Sequence, residues 1–209
     1  MKNNFPNKIP VFPLKGVIFF PGTNLPLNIF ESRYLEMVED SLKSQKLIGM
    51  IQSKELDGSV FKIGCLGKIN THTKTKDGRI LINLLGLTRF EIVNESKNNK
   101  LYREFEVNYK EFYEDEKISN SLLKEDLLEN LINNCKRLFQ KQGILINWSE
   151  LSKLKKYQQV CTLAMICPIS VGEKQKLLEV VHLKEIAETL NEIIKFNFYQ
   201  DYDDKNLIQ

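Results

Sequence analysis

Proline dominates the start of this chain and restricts what the chain can fold into. Five of the six prolines lie within the first 26 residues: Pro6, Pro10, Pro13, Pro21 and Pro26. Proline has no backbone N–H to give to a sheet, so a strand that contains one lies at a sheet edge or ends there. The apolar runs between these prolines predict short strands over residues 11–14, 17–20 and 25–30.

The residues that follow predict one helix and then more strands. Tyr34, Leu35, Val38 and Leu42 recur at helical spacing, which predicts a helix that starts near Glu31. Apolar or alternating runs then predict six further strands, over residues 47–52, 60–63, 65–71, 79–84, 86–93 and 102–109. The first half of the chain is therefore expected to be rich in β structure.

Glycines mark the turns and bends of this half. Asp77-Gly78 between two predicted strands indicates a hairpin with a type I′ turn, in which both central residues have positive φ. Gly64, Gly67 and Gly86 lie within or beside strands, and no helix follows them at the spacing of a phosphate-binding loop. We interpret them as bends in a strongly curved sheet.

A charged connector leads into a helical second half. Apolar residues recur there at helical spacing, Ser149 is a predicted N-cap, and Ser170 begins a capping-box pattern. A last helix is predicted over residues 183–198. The whole pattern predicts an α+β fold with a β-rich lobe, residues 1–116, and a helical lobe, residues 117–209.

Composition argues against several classes of function. The net charge is only +3, far from the basic surplus of a dedicated nucleic-acid binder. The four cysteines form no Cys-x-x-Cys pair and only two histidines accompany them, so no metal site and no other cofactor is expected. The start of the chain has no signal-peptide core, and no apolar run approaches the ~20 residues that span a bilayer. These features predict a reduced, cytoplasmic protein that does not enter a membrane.

No group of residues predicts catalysis. Cys135 and Cys161 lie on apolar helical faces, where free cysteine packs as a small hydrophobe, and nothing brings His182 beside them. His72 lies on a polar strand and is expected to be solvated. The charged flank of the first helix fits a solvated face better than an acid–base cluster.

The opening motif resembles a known family. Pro13-Leu14, Val17-x-Phe-x-Pro21 and Leu25-Pro-Leu-x-Ile-Phe-Glu-x-Arg-Tyr34 are similar to the start of the substrate-binding N-terminal domain of Lon proteases, most of all to its stand-alone bacterial form. Gly86-Leu-x-Arg-Phe90 matches a later strand of that domain. The resemblance covers essentially the whole chain, and it implies structural roles for the motif residues: Pro13, Leu14, Pro21, Leu25, Pro26, Leu27, Phe30, Glu31, Arg33, Tyr34, Gly86 and Arg89.

The resemblance implies a PUA-like β pseudobarrel followed by a helical bundle. It also implies a non-catalytic recognition module of protein quality control that binds exposed apolar or unfolded polypeptide segments in a shallow apolar groove, with a separate protease or chaperone as a further partner. The sequence contains no Gly-x-x-x-x-Gly-Lys-Ser/Thr pattern, and it stops after the helical lobe, before the AAA+ and serine–lysine peptidase domains of Lon. Neither ATPase nor protease activity is therefore expected.

RNA binding is the alternative function at this stage, because PUA-like barrels include RNA-recognition modules. Lys68, Lys74, Lys76 and Arg79 would form a local basic patch around the hairpin. The small net charge argues against this alternative, since contacts to phosphates need clustered lysine and arginine.

The phenylalanines are the remaining candidates for contact with a ligand. Phe12, Phe19, Phe20 and Phe30 are expected to lie mainly in the core. Consecutive residues of a strand point to opposite faces, so one of Phe19 and Phe20 is a candidate for exposure and for peptide binding. Arg33 is expected to hold a nearby carboxylate or carbonyl with its planar guanidinium rather than to bind a ligand. The position of a groove and the oligomeric state are left open.

Overall fold

The computed structural model describes residues 5–54, 58–113, 115 and 123–206 of the chain, with side chains up to residue 198. It divides into two compact units, Met1–Lys117 and Ile118–Gln209. Each unit is considered by itself below. That the two lobes are separate domains stays a prediction.

The described part of the first unit consists of a sheet and one α-helix. In chain order its elements are β1 (Lys8–Pro13), β2 (Asn24–Ile29), α1 (Ser32–Leu42), β3 (Leu47–Ser53), β4 (Val60–Lys74), β5 (Ile80–Ser96), β6 (Glu104–Asn108) and a 3₁₀ turn (Lys110–Phe112). Two pairs of predicted short strands are continuous in the structure: residues 60–63 and 65–71 lie in β4, and residues 79–84 and 86–93 lie almost entirely in β5.

The sheet closes on itself through its longest strand. The strand order is β2-β5-β4-β3-β1-β6, and β5 also pairs with β6. The strands β5, β4, β3, β1 and β6 therefore form a closed circuit, with β2 attached to the outside of β5. Closure of this kind removes most exposed sheet edges. The predicted α+β class with a β pseudobarrel is confirmed.

The prolines of β1 lie at the ends of its two ladders. Residues 8–10 pair with β6 in antiparallel register, and residues 11–13 pair with β3 in parallel register. Pro10 and Pro13 are the last paired residues of the two ladders, and the next residues, Val11 and Leu14, each add one backbone hydrogen bond, to Arg103 and Ile51. Pro26 lies in β2, which pairs only with β5 among the residues described.

The hairpin between β4 and β5 is confirmed, but its predicted turn is wrong. The strands end at Lys74 and resume at Ile80, so the loop has five residues rather than two. A type I′ turn needs positive φ at Asp77 and Gly78, and of these only Gly78 has one, at 86°. The Thr75 N–H donates to the Arg79 carbonyl at 2.9 Å and closes the wider loop.

The interior of the barrel is built around one aromatic ring. Phe90 packs in a cluster with six buried aliphatic and aromatic residues: Ile9, Val11, Ile51, Leu66, Phe105 and Val107. A Cβ at Gly64 would lie 2.6 Å from the Phe90 ring and 2.5 Å from the Met50 carbonyl oxygen. Glycine at this position therefore makes room for the ring, and it does so within an unbroken strand.

Residues 17–20 do not form the strand that the sequence predicts. The ladder of β5 bonds instead to the residues just after this segment. The Gly22 N–H donates to the Gly86 carbonyl at 2.9 Å, and the Gly86 N–H donates to the Thr23 carbonyl at 3.0 Å. A Cβ at Gly86 would lie 2.1 Å from the Phe20 carbonyl oxygen, so glycine permits this close approach of two backbones.

The buried face of α1 differs in part from the predicted one. Tyr34 and Val38 are buried as predicted, but Met37 and Ser41 complete the buried face. The predicted positions Leu35 and Leu42 are only partly buried. The helix is thus rotated slightly from the orientation that its leucines indicate.

The described part of the second unit is helical. Its elements are α2 (Glu125–Lys141), α3 (Trp148–Ser152), α4 (Lys156–Ile166), α5 (Val171–Glu179) and α6 (Leu183–Asn206). α6 packs against α2, α4 and α5. No helix among the described residues has the length and apolar character needed to cross a membrane.

Two helix starts test the predicted caps. The capping box is confirmed, since the Glu173 N–H donates to Ser170 Oγ at 3.2 Å and the Ser170 N–H donates to Glu173 Oε2 at 2.7 Å. The predicted N-cap at Ser149 is wrong. Asn147 caps α3 instead, by accepting the Glu150 N–H at 3.2 Å, and the helix stops before α4 begins.

Candidate functional site

The two phenylalanines proposed as ligand contacts are both enclosed. Phe19 and Phe20 are each 1% exposed, so the prediction that one of them could lie at the surface is wrong. Because residues 17–20 form no ladder, the alternation that sends neighbouring side chains to opposite faces does not apply. The Phe19 ring lies against Gly67, where a Cβ would approach to 2.8 Å, and it therefore fills the side of the barrel next to β4.

Several other motif residues contact the barrel or are at least partly buried, with one exception among those expected in the core, and their structural roles stay predictions. The Leu14 N–H donates to the Ile51 carbonyl at 2.9 Å and continues the β1–β3 ladder by one residue. Pro21 is buried, while Leu25 and Leu27 are half-buried on β2. The exception is Phe30, which is 65% exposed, so its expected place in the core is wrong.

The first unit contains a cavity at one end of its parallel strands. The cavity has a volume of about 330 Å³ and lies where β1 and β3 end, beside the first turn of α1 and the loop that leads into β6. Its lining combines cationic, aromatic and aliphatic side chains: Val11, Pro13, Arg33, Tyr34, Ser53, Gly58, Leu101, Tyr102 and Arg103. Clefts of this size with a few polar groups are typical of ligand sites.

Arg103 is fixed by three hydrogen bonds and an aromatic ring. Its Nε and Nη2 donate to the two carboxylate oxygens of Glu95 at 2.7 and 2.6 Å, and its Nη1 donates to the Gly58 carbonyl at 2.7 Å. The guanidinium lies 4.8 Å from the centre of the Phe105 ring. The hydrogen bonds from Arg103 lower the pKa of Glu95, so this carboxylate is charged at neutral pH.

Arg33 comes from a different part of the sequence, the first turn of α1, but it lines the same cavity. Its Nε and Nη2 both donate to one oxygen, Glu31 Oε2, at 3.0 and 2.7 Å. Its guanidinium also lies 4.5 Å from the centre of the Tyr34 ring. Arg33 thus holds a neighbouring carboxylate, and the choice between a structural and a ligand role stays a prediction.

The two tyrosines of the cavity keep their protons at neutral pH. Burial raises the pKa of Tyr34 above its ordinary value, although the Arg33 charge opposes this effect. Burial likewise raises the pKa of Tyr102, whose hydroxyl donates to Asp40 Oδ2 at 3.1 Å. Tyr34 packs on Phe12, with ring centres 4.2 Å apart. The Tyr34 hydroxyl can therefore act as a hydrogen-bond donor, whereas the Tyr102 hydroxyl already donates its proton to Asp40.

A second arginine–carboxylate pair in this unit is completely enclosed. Arg89 Nε and Nη2 donate to Asp115 Oδ2 and Oδ1 at 2.9 and 2.7 Å, and the Arg89 N–H also donates to Oδ2 at 2.9 Å. The guanidinium lies 4.5 Å from the centre of the Phe112 ring. This arrangement fixes the end of the unit against β5, and neither charged residue lines the cavity.

Among the described residues, the cysteines and the histidines lie in different environments. Cys65, Cys135, Cys161 and Cys167 are buried and form no disulfide, and both histidines are exposed. A hydrogen bond with Cys167, together with burial, raises the pKa of Cys135, which makes its thiol a poor nucleophile. Among the described residues no cluster of three or more histidine, cysteine, aspartate or glutamate side chains could hold a metal ion.

Comparison with known proteins identifies the family. The family model of the ATP-dependent protease La (LON) substrate-binding domain matches residues 8–195, which include most of each unit and all the residues that line the cavity. The chain belongs to this family. As a LON substrate-binding domain it is 26% identical to the Lon protease of Dictyoglomus thermophilum, in an alignment of 201 positions that covers 87% of this chain and 23% of that protein. It is also 26% identical to the Lon protease of Buchnera aphidicola from Acyrthosiphon pisum, over 90% of this chain and 25% of that protein. The chain thus spans about a quarter of the length of these curated relatives.

Solved structures of LON substrate-binding domains share the fold. The Lon N-terminal domain protein from Xanthomonas campestris has a TM-score of 0.63 at 24% identity, over 88% of this chain and 96% of that one. The N-terminal domain of the Mycobacterium avium complex Lon protease has a TM-score of 0.62 at 15% identity, over 90% and 98%. At these identities the likeness concerns the fold alone.

The sequence indicates only part of the lining of the LON-domain cavity. The opening motif contains Pro13, Arg33 and Tyr34. Tyr102 and Arg103 fall only within a predicted strand, and in the structure that strand begins after them, at Glu104. The signal that could have found Arg103 is its place between two aromatic residues just before an alternating run. Nothing in the sequence indicates that it lies beside Arg33, 70 positions earlier.

Proposed function

We propose that this chain is a non-catalytic recognition module that binds exposed apolar or unfolded polypeptide segments. The observation that carries the proposal is the match of residues 8–195 to a substrate-binding domain. The cavity adds a physical basis, because it offers arginine and tyrosine side chains beside apolar ones. These residue types are enriched at the energetic centres of protein interfaces.

Exposed apolar side chains in the first unit support the same proposal. Phe30, Leu101 and Tyr113 are each more than half exposed, and Leu101 lines the cavity. Single exposed hydrophobic residues are common on soluble proteins. Large ones beside a cavity are better suited to burial against a partner, because contact removes their apolar surface from water.

We propose no ATPase or peptidase activity for these 209 residues. The sequence contains no Gly-x-x-x-x-Gly-Lys-Ser/Thr pattern, which NTPases of this type use to hold phosphates. The part of Lon proteases that the chain matches is the substrate-binding part. Incubation with ATP, and separately with casein, is expected to yield neither inorganic phosphate nor cleaved fragments.

Binding of an unfolded protein tests the proposal directly. Fluorescently labelled casein is titrated with the purified chain, and binding is followed by anisotropy. We expect saturable binding to casein and none to a tightly folded protein of similar size. Equal signals for both, or none for casein at high micromolar concentration, would contradict the proposal.

RNA binding remains the alternative, and two of its four candidate cations are already engaged. Lys74 Nζ lies 3.4 Å from Glu39, and Arg79 pairs with Asp77 at 2.5 Å. These pairs reduce the positive charge available to phosphates. A gel shift with single-stranded RNA at low salt decides the matter, since a shift that disappears at moderate salt would support RNA binding.

A further inference from the structure

The charges that line the cavity all have the same sign. Arg33 and Arg103 are its only charged lining residues among those described, and their carboxylate partners Glu31 and Glu95 lie outside the lining. Arginine is well suited to such a place, because its planar guanidinium recognises carboxylates with directed hydrogen bonds. We propose that this cavity binds a carboxylate group of the captured polypeptide. This inference rests on the proposed function and specifies its ligand.

Both arginines keep donors for such a ligand. A guanidinium has five N–H groups. Arg33 uses two of them on Glu31, and Arg103 uses three, on Glu95 and on the Gly58 carbonyl. Their existing bonds also hold both guanidiniums in place, so a carboxylate that binds to the remaining N–H groups does not have to immobilise a free side chain.

Neutral hydroxyl groups line the same cavity as the two cations. The charges of Arg33 and Arg103 each act to lower the pKa of Tyr34, so its hydroxyl lies within electrostatic range of both. Because burial keeps this hydroxyl protonated, it can donate to an anion. Ser53 contributes a second hydroxyl to the lining. A carboxylate accepts several hydrogen bonds at once, and this set of donors can satisfy it.

The rest of the lining favours a ligand in which apolar groups lie next to the carboxylate. Val11, Pro13 and Leu101 supply aliphatic surface beside the arginines. A volume of about 330 Å³ lies at the small end of the range for ligand pockets, roughly 300–1,000 Å³. The cavity therefore suits a single residue rather than a long segment. That residue is either the last one of an apolar chain, with its terminal carboxylate, or an internal aspartate or glutamate beside apolar residues.

Four labelled peptides test the inference and separate the two sources. All share one apolar ten-residue sequence with an N-terminal fluorophore. The first has a free C-terminal carboxylate, the second is its C-terminal amide, the third is an amide with one internal glutamate, and the fourth has glutamine in its place. We expect a carboxylate to improve the Kd by about 10–100-fold, the range for hydrogen bonds to charged groups. Preference for the first over the second identifies a chain terminus, and preference for the third over the fourth identifies an acidic side chain.

Three substitutions locate the effect in the cavity. Arg103→Gln is expected to remove most of the discrimination between acid and amide peptides, and Glu95→Gln is expected to increase it, because it releases two N–H groups of Arg103. A purely structural role would give losses in both variants. Arg79→Gln changes the net charge as Arg103→Gln does, but at the hairpin loop, and is expected to leave discrimination unchanged.

Two results would overturn the inference. One is equal affinity of the wild-type chain for all four peptides. The other is an equal loss of discrimination in Arg79→Gln and Arg103→Gln. If Arg103→Gln fails to fold, the affinities of the wild-type chain for the four peptides and the discrimination of Glu95→Gln still test the inference. Casein binding without any preference for carboxylates would reject this inference alone, whereas failure of casein and of all peptides would reject the proposed function as well.

Discussion

Arg89 and Arg103 lie in the same barrel and hold their carboxylates in the same way. Each donates from Nε and Nη2 to both oxygens of one acid, and each lies on a phenylalanine ring. Their surroundings differ. The Arg89 and Asp115 side chains are 3% and 7% exposed, whereas those of Arg103 and Glu95 are 32% and 48% exposed.

The difference shows that geometry alone does not decide what an ion pair does. In the enclosed pair water cannot easily replace a lost hydrogen bond, so removal of one partner is costly. In the cavity pair water can reach both charges, so the pair contributes little to stability and its donors remain accessible. One arginine is thus suited to hold the fold together and the other to meet a ligand.

The largest expected effect follows from breaking the enclosed pair. Asp115→Asn removes the buried negative charge that accepts three hydrogen bonds from Arg89, and we expect the free energy of unfolding to fall by about 3–5 kcal/mol. Urea denaturation followed by circular dichroism measures the change. Glu95→Gln is the matched control. Similar losses in the two variants would remove the distinction between the pairs.

Replacing both partners of the enclosed pair sharpens the same distinction. Arg89→Met combined with Asp115→Leu leaves no buried charge, so most of the loss caused by Asp115→Asn is expected to be recovered. The Arg89 N–H still loses its acceptor, which leaves the double variant about 1–3 kcal/mol less stable than the wild type. A double variant as unstable as Asp115→Asn in urea denaturation would contradict this reasoning.

The cavity pair predicts a small stability effect that depends on pH. Because Arg103 lowers the folded-state pKa of Glu95, the pair stabilises the fold above the ordinary glutamate pKa of 4.5 and loses this contribution as the pH falls through the lower folded value. We expect Arg103→Gln to lower the free energy of unfolding by less than about 1 kcal/mol at pH 7. The difference in the free energy of unfolding between wild type and variant should shrink in acid. A difference that grows in acid would contradict a lowered pKa of Glu95 in the folded state.

The smallest expected effect concerns a fully exposed pair in the hairpin loop. Hydrogen bonds from Arg79 and then Thr75 lower the pKa of Asp77 to about 2. Arg79→Gln is expected to raise this pKa towards its ordinary 3.8, without a measurable shift in the denaturation midpoint. An NMR titration of the Asp77 carboxyl carbon follows the change. An unchanged pKa would mean that Thr75 alone holds the carboxylate.

Much of the fold followed from local patterns, and the errors have a common cause. Alternation and turn signals located the β4–β5 hairpin, and Ser170 with Glu173 located the start of α5. The failures lie where tertiary contact overrides the local pattern. Residues 17–20 have strand composition, but β5 at Gly86 forms its backbone hydrogen bonds with Gly22 and Thr23 instead. Asp77-Gly78 likewise fits a tight turn, yet the loop is wider.

The cavity was less accessible to prediction than the fold. The opening motif contains Arg33 and Tyr34, but Leu101 comes just before a predicted strand, Tyr102 and Arg103 begin it, and none of the three belongs to a motif. They lie near α1 because the first half of β1 pairs with β6 and its second half pairs with β3. Between the two halves, the Val11 N–H donates to the Arg103 carbonyl at 3.0 Å. A register of this kind depends on how the whole barrel closes, so no local window of sequence contains it.

Closure of the barrel also has a consequence for how the chain is made. Ile9 pairs with Phe105, so β1 waits for β6 to leave the ribosome. At roughly 5–20 residues per second, the intervening residues take about 5–20 s to synthesise. During that interval residues 8–10 have no strand beside them, although the β1–β3 ladder can already form. The nascent chain therefore passes through a state with an open sheet edge, a surface that favours association with other chains until the last strand arrives.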